Sequence, residues 1–435
     1  MGLANNFSVI KNKLQTKFMR NTGWLLFEQI FRMSLSLVVT SLMARYLGTH
    51  NYGLINYGLA YITIFTSVSK LGIDAILVNE IIKNRDKTGN LIGTTIGLRL
   101  LSSLFSLLII AVVVRFLNPN GVTLQIITFI QSISLLFVTF DAVGFWFQSN
   151  LQSKFAVVSK SIAFTIVSLW RLLLIYLKSP VEYFAIATIL EGLVISVFIM
   201  VFYYKYKGPR LTASIQTAKY LLSRSYHFII SALLINIYTQ MDKIILGQVT
   251  GGSTVGIYTA AMTIANLWIF IPNAIIDSAR PIIMTEKENH NEELYRKRFK
   301  QLCSSIIWIS VVASILITVI AKPIVFILYG QQYTQAVGVL IILIWSRIFS
   351  LIGTVSSIWL ISENLMKLQK YFVGIGAVVN ILLNLAFIPH YGASGSAIAT
   401  LFAEVLTSTV ALLIFRETRP LLKLILNSFN LRNIR

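Results

Sequence analysis

Charged residues and cysteine are scarce in this sequence, and both shortages exclude common classes of protein. Only 12% of the 435 residues are charged, whereas 56% are hydrophobic, and the mean hydropathy is +0.75. A water-soluble domain of this length could not stay in solution with such a composition. Because Cys303 is the single cysteine, neither an intrachain disulfide nor a thiolate metal cluster can form. The solvent for most of the chain must therefore be lipid.

Acidic residues are also few, since 16 Asp and Glu face 37 Lys and Arg and the formal net charge is +21. On a soluble domain such an excess would indicate nucleic acid as a partner. Here 27 of the 37 cations lie in alternate gaps between apolar runs and only 4 lie in the other gaps. This asymmetry is typical of the positive-inside rule. It predicts a multi-pass protein with both termini in the cytoplasm and no nucleic-acid partner.

Twelve apolar runs of roughly 20 residues each predict membrane-spanning helices. They lie near 23–44, 52–70, 90–114, 122–145, 156–177, 181–204, 225–247, 255–276, 303–328, 335–360, 368–388 and 392–415. The first run is too long for a signal-peptide core and contains Glu28 and Arg32, so we interpret it as a retained helix. The predicted fold class is an all-α integral membrane bundle of about twelve helices in two six-helix lobes.

The predicted division of the chain follows the charge pattern. The segments are a basic cytoplasmic N-terminal segment (1–22), an N-terminal lobe (23–204), a basic linker (205–224), a C-terminal lobe (225–415) and a basic tail (416–435). A repeated turn supports two related lobes, since Leu47-Gly48 precedes Tyr52-Gly53 and Leu246-Gly247 precedes Gly256-Ile257-Tyr258. Lobes with six helices each would share one orientation, with a cavity between them.

No catalytic or metal-binding arrangement is recognisable in the sequence. The four histidines, His50, His227, His290 and His390, lack the spacing of metal ligands, and no glycine-rich phosphate loop is present. The predicted outer connections are very short, which leaves no room for an extracytoplasmic domain. We therefore expect a transporter rather than an enzyme, with no catalytic residue, metal site or cofactor.

Ionisable residues inside the predicted spans are the strongest functional signal. Each costs about 2.5–3.5 kcal/mol at a helix centre, so it persists mainly where it faces a cavity or a partner. The cations are Arg32, Arg99, Lys160, Arg171, Lys243 and Arg347, and the anions are Glu28, Asp141, Glu191, Asp242 and Glu404. Two structural alternatives stay open at this point: Glu28 and Arg32 could form a buried ion pair, and Asp242 with Lys243 could reach out to the membrane surface.

Two polar features and one proline of interest lie in the second half of the chain. Ser396, Thr400, Glu404 and Ser408 recur every four residues and predict one polar stripe on a helix. Asn380 and Asn384 are one turn apart, which favours interhelical hydrogen bonding. Pro272 should remove a backbone hydrogen bond and kink its helix.

Several segments resemble one known family. They are Asn21 with Trp24-Leu25, Arg45-Tyr46-Leu47-Gly48 with Tyr52-Gly53, Asp242 to Gly247 with Val255 to Ala261, Leu328-Tyr329-Gly330 with Tyr333 and Ala336, and Asn384 to Pro389 followed by Tyr391-Gly392-Ala393 and Ser396 to Thr400. In this order they resemble polysaccharide flippases of the Wzx type, in the multidrug/oligosaccharidyl-lipid/polysaccharide (MOP) exporter superfamily, which includes the MATE transporters. The resemblance covers nearly the whole chain.

The resemblance implies a two-lobed, MATE-like bundle in the bacterial inner membrane. Such proteins move undecaprenyl-diphosphate-linked oligosaccharide repeat units from the cytoplasmic to the periplasmic leaflet by alternating access, for O-antigen, capsule or exopolysaccharide synthesis. Their substrate and membrane lipids are the implied partners, together with polymerase and chain-length proteins of the pathway. The implied coupling ion is H⁺ or Na⁺.

Charge placement assigns roles to individual residues within this expectation. A buried arginine offers a charge-assisted, bidentate contact to a diphosphate, and the predicted headgroup contacts are Arg32, Arg99, Lys160, Arg171 and Arg347. The predicted ion carriers are Glu28, Glu191, Asp242 and Glu404. Two rivals stay open: an ion-coupled multidrug exporter of the MATE type, and a membrane polymerase or ligase of the same pathway.

Overall fold

The computed structural model describes the backbone of residues 2–429 and the side chains of residues 23–24 and 27–429. Over residues 2–429 the chain forms α-helices and short 3₁₀ turns, with no strand. The all-α fold class predicted from the apolar runs is confirmed. The side chains of the predicted N-terminal segment 1–22, and the last six residues of the predicted tail, lie outside the described part.

Fifteen α-helices are numbered here in chain order. They are α1 (Gly2–Lys70), α2 (Asp74–Lys83), α3 (Thr88–Leu117), α4 (Val122–Ser132), α5 (Ser134–Val138), α6 (Asp141–Ser149), α7 (Lys154–Tyr176), α8 (Val181–Lys205), α9 (Ile215–Thr250), α10 (Gly252–Leu267), α11 (Phe270–Glu288), α12 (Glu292–Tyr329), α13 (Ala336–Ser362), α14 (Gln369–Ser408) and α15 (Arg419–Ser428). Short 3₁₀ turns precede α3, α13, α14 and α15.

The described chain contains nine helical runs that are long and apolar enough to cross a membrane, or ten if the bent pair α10 and α11 forms one span. Each of the twelve predicted spans overlaps one of these helices. Two runs, Phe27–Lys83 and Met366–Leu413, each overlap two predicted spans. The chain is therefore a multi-pass membrane protein, and the count of twelve stays a prediction.

Backbone bends divide three of the long helical runs. In α1 and α14 the bends occur at Gly48 (φ 73°) and Gly392 (φ 53°), because glycine adopts positive φ without the clash that a Cβ would cause. Helices α10 and α11 meet at an angle of 43°. Pro272 lies in the first turn of α11, where its missing N–H cannot bond back to the preceding helix. The kink predicted from Pro272 is confirmed.

The chain folds into two compact units that do not follow the predicted lobe boundary at every point. The first unit runs up to Tyr46 and continues from Gly58 to Leu233, and the second unit comprises Leu47–Tyr57 and the residues from Leu234 onward. The short segment Leu47–Tyr57 therefore belongs to the second unit, although it precedes most of the first. The predicted domain boundaries themselves stay predictions.

An aromatic and aliphatic core holds the first unit together. Trp146 of α6 packs edge-to-face on Tyr203 of α8, with ring centroids 5.0 Å apart. Tyr203 is fully buried, and its hydroxyl donates to the Pro209 carbonyl at 2.5 Å. The segment after α8 is thereby fixed to the core, and the Asn90 side chain of α3 adds a hydrogen bond to Thr212 at 3.2 Å.

The second unit is built around α12, α13 and α14. Its core includes the fully buried side chains of Phe299 and Ile306 on α12 and Ile352 on α13. Part of the predicted basic tail forms the amphipathic helix α15, whose Leu421 and Ile425 join this core. The tail is thus anchored by its apolar stripe, as expected for a helix with one hydrophobic face.

The two repeated turns noted in the sequence pack against each other inside the second unit. A Cβ atom on Gly53 would collide with the backbone carbonyl of Gly252, and one on Gly256 would collide with the carbonyl of Thr49. Only glycine allows the backbones to approach this closely. Tyr57, one turn after Gly53, accepts a hydrogen bond from Gln248 at 2.7 Å.

Candidate functional site

The candidate functional site is a polar cavity of about 190 Å³ inside the second unit, between α9, α10, α13 and α14. Its walls carry three of the predicted site residues, Asp242, Arg347 and Glu404. Lys243, Asn380 and Thr400 are among its other polar lining residues. Ionisable side chains inside predicted membrane-spanning helices cost free energy, so a cluster of them indicates a functional site.

Asp242 on α9 is buried, with only 3% of its surface exposed. Its carboxylate accepts hydrogen bonds from the Tyr258 hydroxyl at 2.5 Å, the Asn384 amide at 2.8 Å and the Thr400 hydroxyl at 3.1 Å. Among the described side chains, no Lys, Arg or His nitrogen lies within 4.0 Å of it. Neutral donors alone therefore hold this charge, and the alternative that Asp242 reaches to the membrane surface is wrong.

Arg347 and Glu404 line the same cavity, and their opposite charges attract each other. Arg347 is 8% exposed, and its Nε lies 3.5 Å from the Leu343 carbonyl, a weak contact. In the described part of the chain no carboxylate oxygen comes within 4.0 Å of its guanidinium. The Glu404 carboxylate interacts with the charge of Arg347 and with the hydroxyls of Tyr238 and Ser350. Arg347 is thus attracted to Glu404 but not locked to it.

Arg32 lies in the first unit, between two predicted ion carriers. Its guanidinium is 3.3 Å from Glu191 of α8 and 4.0 Å from Glu28, one turn earlier on α1. It also lies 5.5 Å from the centroid of the Phe164 ring, within cation–π distance. Half of the Arg32 side chain is nevertheless exposed, at 49%. The Glu28–Arg32 contact considered from the sequence is present, and Glu191 is a second partner.

Arg99 belongs to a different charge cluster of the first unit. Its side chain is fully buried and pairs with Asp74, while Lys70 lies 3.3 Å from Asp74 and 3.6 Å from Asp141. Among the described residues the Arg99 Nε and Nη1 atoms have no hydrogen-bond partner. Sequence reasoning missed Asp74 because it searched for acidic residues one helical turn away, whereas Asp74 begins another helix.

Lys160 and Arg171 are the other predicted headgroup contacts. Both lie on α7, eleven positions apart, and both are partly buried. Eleven residues correspond to about three turns of an α-helix, so the two cations share one face of α7. Over the described side chains Lys160 has no carboxylate within 4.0 Å. The structure therefore brings Arg347 together with Asp242 and Glu404, while Arg32 and Arg99 occupy two ion-paired clusters of the first unit.

Some of the residues that hold Asp242 were visible in the sequence. The predicted interhelical role of the Asn380 and Asn384 pair is confirmed, because Asn384 donates to Asp242 across helices and also contacts the Asn380 carbonyl at 2.9 Å. Thr400 belongs to the predicted polar stripe of α14. The sequence indicates Tyr258 only as part of a turn, since a single tyrosine at a helix start gives no signal for a carboxylate partner.

Two family models and two curated relatives match parts of the chain. Residues 18–285 match the model of the family described as polysaccharide biosynthesis protein, and residues 228–386 match the model described as MatE. A probable flippase, AglR, from Haloferax volcanii is 29% identical over 178 residues, which are 40% of this chain and 37% of that protein. The probable low-salt glycan biosynthesis flippase Agl15 of the same organism is 24% identical over 187 residues, 43% and 40% of the two chains. The matched part spans about two fifths of the length of these curated relatives.

Solved structures resemble the fold over nearly the whole chain. Lipid II flippase MurJ in an inward closed conformation superimposes with a TM-score of 0.70 at 15% identity, covering 92% of this chain and 90% of its own. An inward-facing multidrug resistance MATE family transporter of the MOP superfamily reaches 0.67 at 15% identity, covering 91% and 98%. A MOP superfamily transporter from Pyrococcus furiosus reaches 0.65 at 14% identity, covering 93% and 96%. At such identities the likeness establishes a common MATE-like fold.

Proposed function

The chain belongs to the polysaccharide biosynthesis protein family, and from that premise we propose that it is a flippase for lipid-linked oligosaccharides. The observation that carries the proposal is the family match over residues 18–285, more than half of the chain. A protein of polysaccharide synthesis that consists of membrane helices with buried charges is suited to the step in which a charged lipid crosses the bilayer. The flippase names of the two partial relatives support the same activity.

The proposed substrate is an undecaprenyl-diphosphate-linked repeat unit, moved from the cytoplasmic to the outer leaflet of a bacterial inner membrane by alternating access. Its diphosphate must pass a medium of low dielectric constant, where an arginine is a strong partner. Arg347 supports this role best among the predicted contacts, because it is buried, lines a cavity and has no carboxylate within 4.0 Å among the described residues. Lys160, Arg171 and half-exposed Arg32 remain further candidates.

Arg99 is the least suited of the predicted headgroup contacts. Its side chain has no exposed surface and its charge is already paired with Asp74. A headgroup would have to break a buried ion pair to reach it, and the breaking of such a pair costs about 3–5 kcal/mol.

Ion coupling is part of the proposal, with H⁺ or Na⁺ as the driving ion. Of the four predicted carriers, Glu28 and Glu191 share Arg32, and Glu404 interacts with Arg347. Asp242 has only neutral hydrogen-bond partners among the described residues, so no ion pair shorter than 4.0 Å has to break when a cation binds it, although Lys243 and Arg347 line the same cavity. This supports Asp242 as the principal carrier. Polymerase and chain-length proteins of the pathway are the proposed protein partners.

A MATE-type multidrug exporter is the second candidate, because residues 228–386 match the MatE family. Such a protein would bind organic cations through carboxylates, and Asp242 and Glu404 lie in that segment or close to it along α14. The two candidates differ in the sign of the substrate charge. Arg347 in the cavity favours an anionic substrate.

Genetic complementation combined with a charge-removing variant tests the proposal. Deletion of the protein should accumulate lipid-linked repeat units that face the cytoplasm, and the wild-type protein should restore surface glycan. Arg347→Gln should restore it poorly, with transport reduced about tenfold or more, because a charge-assisted contact contributes about 1.5–3 kcal/mol. Lys322→Gln, which removes an exposed cation, is the matched control and should restore surface glycan fully.

The opposite pattern would favour the exporter. Unchanged surface glycan in the deletion strain, together with greater sensitivity to cationic dyes, would reject the flippase assignment. Normal glycan export by Arg347→Gln at wild-type protein levels would reject Arg347 as a headgroup contact while leaving the flippase assignment open to the deletion result.

A further inference from the structure

Two segments of the first unit carry exposed cations that the proposed transport mechanism does not use. They are residues 83–87, between α2 and α3, and residues 205–219, between the end of α8 and the start of α9. We call these cations the basic patch: Lys83, Arg85, Lys87, Lys205, Lys207, Arg210 and Lys219. Within these two described segments Asp86 is the one acidic residue, and it is exposed.

Backbone contacts place the two segments side by side. A Cβ atom on Gly89 would collide with the carbonyl of Arg210, and one on Gly93 would collide with the carbonyl of Thr212. The Thr212 N–H donates to the Gly89 carbonyl at 3.3 Å. The two glycines thus form a groove on α3 in which residues 210–212 lie. Tertiary structure therefore gathers cations that are more than 100 positions apart in the sequence.

Acidic side chains do not neutralise the basic patch. In the described part of the chain the ion pairs of the first unit involve other residues, such as Arg224 with Glu80 at 3.0 Å, and none of the seven cations. The buried Glu80 carboxylate also accepts a hydrogen bond from the Tyr220 hydroxyl at 2.8 Å. This contact fixes the start of α9 against the end of α2. The patch thus presents charge of almost one sign.

The second unit arranges the charges of its connections differently. Its segment from Glu286 to Lys300 mixes acids and bases that pair with each other or with near neighbours. Lys287 contacts Glu363 at 2.8 Å, and Arg298 contacts Glu286 at 3.5 Å. The positive-inside rule counts Lys and Arg, and acidic residues contribute little to it. Mixed charges would therefore orient the first unit equally well, so the rule does not explain why its cations lack acidic partners.

Exposed aromatic and aliphatic side chains lie among the cations. Tyr204 and Tyr206 flank Lys205 at the end of α8 and are 66% and 45% exposed. Ile82 and Ile215 are 48% and 73% exposed. Tyrosine is enriched at the headgroup level of membranes, where its ring and its hydroxyl meet different surroundings. A membrane surface offers both phosphates and hydrocarbon to such a mixture, whereas an acidic protein surface offers only the negative charge.

We propose that the basic patch binds anionic phospholipid headgroups of the cytoplasmic leaflet, the side to which the positive-inside pattern assigns these segments. Clusters of about 4–8 Lys and Arg next to a membrane helix are typical of sites for anionic lipids, and each cation raises the affinity about fivefold. The lipid phosphates contact the cations, while Tyr204 and Tyr206 lie at headgroup depth. The inference concerns the surrounding lipid and not the transported molecule, so it goes beyond the proposed flippase and does not depend on it.

The experiment titrates the full-length protein in a nonionic detergent with a fluorescent short-chain phosphatidylglycerol, followed by anisotropy. Phosphatidylcholine with the same label is the zwitterionic comparison. In 0.1 M KCl the wild type should bind phosphatidylglycerol about tenfold or more tightly than phosphatidylcholine. In 1 M KCl the difference should shrink to about threefold or less, because the Debye length falls from about 10 Å to about 3 Å. Equal affinities for the two lipids at low salt overturn the inference.

A fourfold variant removes more than half of the charge of the basic patch. It carries Lys83→Gln, Lys87→Gln, Lys205→Gln and Lys219→Gln, all at exposed positions, and should lose most of the preference for phosphatidylglycerol. The matched control makes the same change at four exposed lysines of the second unit, Lys297→Gln, Lys367→Gln, Lys370→Gln and Lys423→Gln. The control should keep the preference, since the two variants have the same net charge and differ only in its location. Equal losses in the two variants would assign the effect to net charge and overturn the inference.

Two further ligands separate phospholipid from other anionic partners. Poly-glutamate should bind more weakly than phosphatidylglycerol at equal charge; tighter binding would assign the patch to an acidic protein and overturn the inference. A short-chain polyprenyl diphosphate should bind the fourfold variant as it binds the wild type, because its proposed contact is Arg347. Loss of diphosphate binding with unchanged phosphatidylglycerol binding would place the patch on the transport route instead. A protein that binds phosphatidylglycerol through the patch but flips no lipid would reject the flippase and keep this inference.

Discussion

Replacement of Arg99 separates a structural cation from one that meets the transported headgroup. The Arg99 side chain is 0% exposed and pairs with Asp74, which is itself 32% exposed. Asp74 keeps a second partner, Lys70, at 3.3 Å. Arg99→Ala would therefore remove a buried charge. Its partner Asp74 would stay partly exposed to solvent and would keep its contact with Lys70.

The expected loss of stability is about 3 kcal/mol, the lower end of the cost of breaking a buried ion pair. An empty volume in place of a large buried side chain adds to the loss in Arg99→Ala, because cavities in a core cost free energy of their own. Arg99→Met fills most of that volume. It also removes two buried nitrogens, Nε and Nη1, that lack a hydrogen-bond partner in the described part of the chain. Its stability should lie between those of Arg99→Ala and the wild type, because both variants leave Asp74 without Arg99 but only Arg99→Ala leaves an empty volume.

Thermal unfolding in detergent, followed by tryptophan fluorescence, compares the variants. Arg115→Met, which changes an exposed cation near Pro119, serves as the control and should melt like the wild type. Reconstituted lipid flipping is measured on the same preparations. We expect Arg99→Met to retain flipping and Arg99→Ala to lose it in proportion to folded protein. A stable Arg99→Met that has lost flipping more than about tenfold would refute the structural role and restore Arg99 as a headgroup contact.

Two further predictions concern Asp242 and the close helix approach. Asp242→Ala should remove the carboxylate acceptor of the Tyr258 hydroxyl, while Asn384 and Thr400 keep their second acceptors at Asn380 and Ser396. It should lower the melting temperature more than Asp242→Asn, because an unsatisfied buried donor costs about 1–3 kcal/mol; equal melting of the two variants would contradict this. Gly256→Leu should abolish folded protein in membranes, because its Cβ would collide with a backbone carbonyl; normal yield and melting would show that the helices separate freely.

The fold was predictable because membrane-spanning helices are recognised from the mean hydropathy of long stretches of sequence. An apolar run of 20 residues must satisfy its backbone internally, and a helix does so within one segment. The kink at Pro272 followed from one missing N–H. The run Phe27–Lys83 overlaps two predicted spans because the helix bends at Gly48, which has a positive φ. In the sequence the Leu47-Gly48 pair before Tyr52 indicated this turn.

The ion partners were harder to predict because they depend on tertiary packing. The Arg99–Asp74 pair joins residues 25 positions apart on two helices, and Glu191 reaches Arg32 across 159 positions. Helical periodicity relates only residues on the same helix. Asn384 was predictable as an interhelical donor from its spacing to Asn380, but its partner Asp242 was not. Local patterns therefore indicated which side chains need partners, without naming them.

The hydrogen bonds around Asp242 bear on the proposed binding of a cation there, because one of its donors has a second acceptor. The Thr400 hydroxyl lies 3.1 Å from the Asp242 carboxylate and 3.0 Å from the Ser396 carbonyl. It has one hydrogen and two acceptors at nearly equal distance. A turn of the hydroxyl toward Ser396 replaces one hydrogen bond by another and points an oxygen lone pair at the carboxylate site. Because one hydrogen bond would replace another, a cation bound at Asp242 as proposed would gain an oxygen ligand without disruption of the packing of α14.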